Sequence, residues 1–273
     1  MVGEGKLQCP HCVAVDSAGN IVVVDCDGVK VFRGRDGTLL KSMGHRGSNI
    51  TELHLPWGVA VDQDDSIIAA NVGEDNIVVF DKDGSVRRTV GRSGSGEGKL
   101  KHPYGVAVDG EGNIVVADYD NNRLQLFGRD GRFLRAIGKK GSGEGELQQP
   151  WGVAVDSNGV IVVAESLGRR VAMFKNDGTF IRSIRRWGSE GSALGRPRGL
   201  AIDMEGNVVV ADWEMHRVLV FRQDGSFVRS FGGRGSGDGE LKHPCGVAVD
   251  GIGNIVVADY ENHRVQVFSA EFE

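Results

Sequence analysis

Pro10, Pro56, Pro103, Pro150, Pro197 and Pro244 recur 46 or 47 residues apart, and each opens a variant of Pro-x-Gly-Val-Ala-Val-Asp. A period of this length restricts the chain to repeat architectures, because one such unit buries its apolar face only against its neighbours. The phrase recurs along the 273 residues, so residues 1–273 read as a single repeat domain. The 42 glycines fall between short apolar runs and act as turn punctuation.

The third copy shows the unit most clearly. Residues 105–109, 113–118, 123–127 and 133–137 are short β-like runs, separated by a Glu-Gly turn, a polar loop and the hairpin dipeptide Asp130-Gly131. They predict a four-stranded antiparallel meander. The first two runs are apolar on both faces, as strands between neighbouring sheets would be; the third and fourth alternate, which predicts outer strands with one wet face. Six such sheets around an axis make an all-β, six-bladed β-propeller.

Residues that hold their place in every copy take structural roles in this scheme. Leu7, Leu53, Leu100, Leu147, Leu194 and Leu241, each three before a proline, are expected to plug the gaps between blades. Asp16, Asp62, Asp109, Asp156, Asp203 and Asp250 end the first strand and are expected to accept N–H groups of the following turn. A second acid with an arginine five residues on (Asp118/Arg123, Glu165/Arg170, Asp212/Arg217, Asp259/Arg264) reads as a loop brace. Asn71 and Asn76 replace both members in the second copy. The first copy keeps Asp25, is two residues shorter and shows no matching arginine.

Gly-x-Gly-x-Leu-x-x-Pro, Gly-Val-Ala-Val-Asp, Asn-Ile-Val-Val-Ala-Asp, Asn-x-Arg-Val-Gln-Val-Phe and Asp-Gly-x-Phe together resemble the NHL repeat along essentially the whole sequence. The resemblance implies a six-bladed propeller similar to the C-terminal domain of tripartite-motif ubiquitin ligases, in which it binds protein or RNA. No RING, B-box or coiled coil accompanies it here, so ligase chemistry is not expected of this sequence alone. Such propellers commonly close by giving an N-terminal strand to the last blade. The sixth copy stops after its third run, at 264–268, and residues 3–7 align with a linker that elsewhere follows a fourth strand. A sixth blade lacking its outer strand, with an open edge at 265–268 and a missing strand belonging upstream of Met1, is therefore expected.

An enzyme is the less favoured reading. The peptide-amidating lyase resembles an NHL propeller and holds zinc with axial histidines, but the matching positions here are Cys12, Gly58, Gly105, Gly152, Gly199 and Gly246. The channel-mouth acids and asparagines of lactonase-type propellers are not matched either. His102 and His243 precede prolines, and His216 and His263 share one loop position, so repetition accounts for them. The Gly-Ser-Gly linkers lack a nucleophile-elbow context and lead into no helix, which removes the phosphate-loop reading. No catalytic residue and no cofactor are expected; a metal-dependent lyase or hydrolase remains the third alternative.

Function is expected where the copies differ. In a propeller the linkers and the loops between second and third strands open on one face. All four tryptophans and all three tyrosines fall in those segments. Trp57, Tyr104, Tyr119, Trp151, Arg198, Trp213 and Tyr260, with Lys101, Arg169 and Arg186 among them, form the candidate ligand-binding face. Aromatics and cations suit single-stranded RNA, by stacking and phosphate contact; they suit a protein or peptide equally well. A balance of acidic and basic residues on that face puts the protein partner ahead, with single-stranded RNA as the alternative. The formal charge of −5 argues against a globally basic nucleic-acid binder, and no DNA partner is expected. No apolar run reaches membrane-span length, so no membrane role is expected, and a cytoplasmic location is. Cys9, Cys12, Cys26 and Cys245 map to the same side; reduced thiols are the expected state, with a closing disulfide or zinc cluster as the alternative.

Overall fold

The computed structural model describes residues 2–3, 5–45, 52–187 and 192–270, with the Trp187 side chain outside that set. Each of the first five repeats forms a four-stranded antiparallel meander, and the sixth forms three strands, giving a six-bladed propeller. In the third blade the strands are Pro103–Val108, Ile114–Asp118, Arg123–Phe127 and Phe133–Ile137. The first strand starts at the proline itself, since Pro103 pairs with Asp118 across a bulge. Among the described residues no helix is long and apolar enough to cross a membrane.

The core lies between blades. Leu147 packs with Val115 and Leu126 of the third blade and Val163 and Phe174 of the fourth. All six plug leucines are buried, the least so at 6% exposure. In five linkers a glycine makes room for the plug: Gly3, Gly44, Gly91, Gly138 and Gly232 sit at φ between +65° and +91°. A Cβ on any of them would stand 2.5–2.7 Å from the leucine Cδ1. Conformation and contact both demand glycine there. The fourth-to-fifth linker departs from the pattern and forms a small hairpin, Arg186–Trp187 with Ser192–Ala193.

One burial expectation is corrected. In the five four-stranded blades the third strands are enclosed, as in Gly28–Phe32 and Arg170–Phe174, and only the fourth strands alternate. Polar residues on the third strand meet the linker rather than water. Gln125 is fully buried, donates to Lys99 O and Asp118 Oδ2, and accepts from Gly98 N–H.

The repeated acids act as expected. Asp109 Oδ1 accepts from the N–H groups of Glu111 and Asn113 at 2.9 and 2.8 Å, and the other five first acids do likewise. The second acid, or Asn71 in its place, accepts the N–H of the residue two before each proline: Gln8, His54, Lys101, Gln148, Gly195 and Lys242. Arginine completes the brace at Asp118/Arg123, Glu165/Arg170 and Asp259/Arg264. Blade one does have a cation: Lys30 Nζ lies 2.7 Å from Asp25 Oδ2. Lys30 pairs with Val23 as Gln125 pairs with Val116, so the two-residue deletion puts a different register position on the acid.

The sixth blade is three-stranded, Pro244–Val249, Ile255–Asp259 and Arg264–Phe268. Its outer strand is not wholly open: Val2 N–H donates to Val265 O at 3.0 Å, and Val265 N–H returns to Val2 O at 3.3 Å. Val2 thus takes the place that Phe231 holds opposite Val218 in the fifth blade. Glu4 and residues 271–273 lie outside the described residues.

Candidate binding site at the channel mouth

The first strands line the axis, and their glycines set how tightly it closes. A Cβ on Gly58, Gly105, Gly152 or Gly199 would stand 2.0–2.4 Å from the backbone oxygen of Tyr104, Trp151, Arg198 or Cys245 on the next blade. Close approach of adjacent backbones therefore requires these glycines. At the sixth position Gly246 abuts Cys12 Cα, and the Cys12 thiol lies 3.8 and 3.9 Å from the carbonyls of Val13 and Val59.

The side chains that follow the first five prolines meet at the mouth. His11 stacks on Trp57 at 4.0 Å between ring centres, Tyr104 stacks on Trp151 at 4.0 Å, and Trp57 meets Trp151 edge-on at 5.2 Å. The adjoining loops extend the cluster. Tyr119 packs on Tyr104 and donates its hydroxyl to Gln149 Oε1 at 2.8 Å; Tyr260 stacks near His11; Trp213 stacks on His243 at 4.1 Å. The Arg198 guanidinium lies 4.3 Å from the Trp151 ring centre and 4.2 Å from that of Trp213. The tryptophan and tyrosine rings are half-buried, so each keeps part of its surface open.

His11 is buried and neutral. Its Nδ1 lies 2.8 Å from Pro56 O, which fixes the proton on Nδ1, while Nε2 faces the Cys26 thiol at 3.8 Å. Burial lowers its pKa to about 4, against support from the Pro56 carbonyl, and Arg198 adds to the lowering. All four cysteines are free. Cys9 lies 3.7 Å from His263 Nδ1, and burial pushes the Cys26 and Cys245 thiols up to about 11. Cys9 and Cys26 sit by histidines in the loops, Cys12 and Cys245 deeper in the channel. Among the described residues no group of three or more His, Cys, Asp or Glu side chains is placed to hold a metal ion.

The predicted cations stand differently. Arg198 is inside the aromatic cluster. Lys101 and Arg186 are exposed, Arg186 on the small hairpin. Arg169 pairs with Glu214 at 3.2 Å, and neighbouring basic residues are paired too: Arg196 with Glu214, Lys242 with Glu261 and Lys139 with Glu146. His11 and His243 join the stack, although repetition accounts for His243 in the sequence and neither is among the predicted site residues. Their places beside a proline, next to the variable aromatics, are the signal that marks them. His216 and His263 have scaffold contacts, accepting the N–H groups of His243 and Cys9 on the following blade.

The molecule is a repeat propeller with one aromatic-rich axial mouth. An NHL repeat model matches residues 7–32, 194–221 and 241–268, and a 6-bladed beta-propeller model matches residues 99–188. The protein is thus an NHL-repeat six-bladed β-propeller. No curated protein sequence matches it. Similar solved structures include virginiamycin B lyase from Staphylococcus aureus, at 13% identity and TM-score 0.65, covering 97% of this chain and 86% of that one. Kuenenia stuttgartiensis hydrazine synthase is similar at 14% identity and TM-score 0.68, covering 98% and 97%. A Bacteroides thetaiotaomicron protein of unknown function is similar at 15% identity and TM-score 0.72, covering 96% and 70%. At such identities the likeness is one of fold.

Proposed function

We infer that the protein is a non-catalytic binding propeller that engages a protein or peptide partner through the channel mouth. The observation that carries this reading is the convergence of Trp57, Tyr104, Trp151, Trp213 and Tyr260 into one half-exposed cluster built around Arg198. Tryptophan, tyrosine and arginine in a partly desolvated setting are the residue types that anchor protein interfaces. The rings also pack on one another and are held in place before a ligand arrives, which reduces the ordering cost of binding.

Single-stranded RNA is the second reading, favoured by the stacking surfaces themselves. The pairing of Arg169, Arg196 and Lys242 with acids weighs against it, because a phosphate backbone needs cations free to follow it. Affinity capture with wild type, Trp57→Ala and Trp151→Ala decides between them. A partner protein held by wild type and lost by both variants, each with unchanged melting, supports the reading. Random single-stranded RNA bound with a steep salt dependence, and lost on the same substitutions, overturns it in favour of RNA.

A further inference from the structure

Two buried donors at the mouth have no acceptor among the described residues. Arg198 Nε and Trp213 Nε1 are both enclosed, and neither has a hydrogen-bond partner there. They are neighbours, since the Arg198 guanidinium lies 4.2 Å from the Trp213 ring centre. Buried N–H groups in folded proteins are almost always bonded, and leaving one unmet costs about 1–3 kcal/mol. The only hydrogen bond Arg198 makes among the described residues is from Nη1 to the Cys245 thiol at 3.4 Å. Nearby Arg169 and Arg196 share Glu214, whereas no described carboxylate pairs with Arg198. Among the described residues the positive charge is therefore without an ion-pair partner, and neutral His11 supplies none. The axial cavity that Arg198 lines has a volume of about 60 Å³, room for a group of a few atoms.

We propose that Arg198 and the Trp213 indole N–H form a receptor for a single carboxylate on the ligand, with the Trp57, Tyr104 and Trp151 rings covering the apolar group that bears it. This rests on the mouth being the binding face and names what the partner must present there. A guanidinium offers a fork of parallel N–H donors matched to a carboxylate, and its bonds to an anion are about twice as strong as neutral ones. The two tryptophan rings hold that fork rigidly, as cation–π contacts do. One isolated cation suits one terminal anion better than a run of phosphodiesters, whose neighbours would find Arg169, Arg196 and Lys242 already paired. The carboxylate has two sources, the C-terminus of a polypeptide or an Asp or Glu residue within it.

The test is a nuclear magnetic resonance titration of the full-length protein, following the Trp213 indole N–H resonance assigned by Trp213→Phe. N-acetyl-phenylalanine represents a C-terminal carboxylate, N-acetyl-aspartate amide a side-chain one, N-acetyl-phenylalanine amide the neutral control, and dimethyl phosphate the phosphodiester, all at constant ionic strength. The proposal expects saturable shifts with one or both carboxylates and none with the amide. Arg198→Met should weaken the carboxylate at least about ten-fold, and Arg198→Lys should restore part of the loss; the stronger of the two carboxylates identifies the source. No saturable shift from either carboxylate, or equal binding of the amide or of dimethyl phosphate, overturns it. Should Arg198→Met lower the melting temperature, Arg198→Lys in the same titration decides, because wild-type affinity in that variant would remove the fork from the account. Partner capture that stays sensitive to Trp151→Ala while the carboxylates fail would sink this receptor and leave the binding face standing.

Discussion

Lys30 shows how a single residue can hold a role that residue type does not announce. Every other charged brace draws on an arginine directly opposite the acid in the strand pair, whereas Lys30, also five residues beyond its acid, reaches Asp25 from two positions further along the third strand, with both side chains enclosed. Lys30→Met would leave the Asp25 carboxylate buried without its cation, a change that costs about 3–5 kcal/mol in comparable pairs. Urea unfolding should show it; a loss below about 1 kcal/mol, the level of an exposed pair such as Arg132–Asp130, would mean that the brace adds little. His11 gives a second prediction. Its folded pKa of about 4 lies below the ordinary 6.5, so below pH 6.5 the unfolded state takes up the proton more readily. Stability is full above that pH and falls as pH drops from 6.5 to 4, by up to about 3 kcal/mol. His11→Phe keeps a ring beside Trp57 and removes the titration. Its urea midpoint should therefore fall less than wild type between pH 7 and pH 4.5, and parallel curves would contradict the burial of a neutral imidazole.

At the scale of strands and linkers, the period made the blade count, the meander, the plug leucines and the turn-capping acids legible, because each follows from spacing and local turn chemistry. Leu147 is fully enclosed between two blades, and Leu147→Ala should cost about 2–5 kcal/mol in denaturant unfolding, as other large-to-small core changes do. Burial of the third strand was not legible. Alternation at Leu124, Gln125 and Leu126 looks the same whether the polar residue meets water or a linker backbone, and only the path of the linker decides. The sixth blade offers a direct comparison. Val265 is bridged to Val2, but Val267 is 40% exposed, whereas Val220 at the equivalent place in blade five pairs with Arg229 of a fourth strand. Hydrogen exchange should therefore be faster at the Val267 amide than at Val220. Equal protection would show that the edge is covered in solution.

For the molecule as a whole, the loop geometry of a propeller was enough to place the variable aromatics on one face, and six of them, Tyr119 included, do converge around the channel mouth. Lys101, Arg169 and Arg186 are rim residues instead. Sequence position alone carries no information on which cations an acid of the next blade will neutralise, as Glu214 does for Arg169 and Arg196. The central claim is that the partner meets this mouth and not the opposite end, where the turns between first and second strands lie. Met204, 76% exposed in such a turn of blade five, marks that other end. Site-specific photo-crosslinking with benzoylphenylalanine placed at position 104 or at position 204 compares the two faces in the same protein. A crosslinked partner from position 104, absent from position 204 and lost when Trp151→Ala is added, is the predicted result; crosslinking from position 204 alone would contradict the assignment of the channel mouth as the binding face.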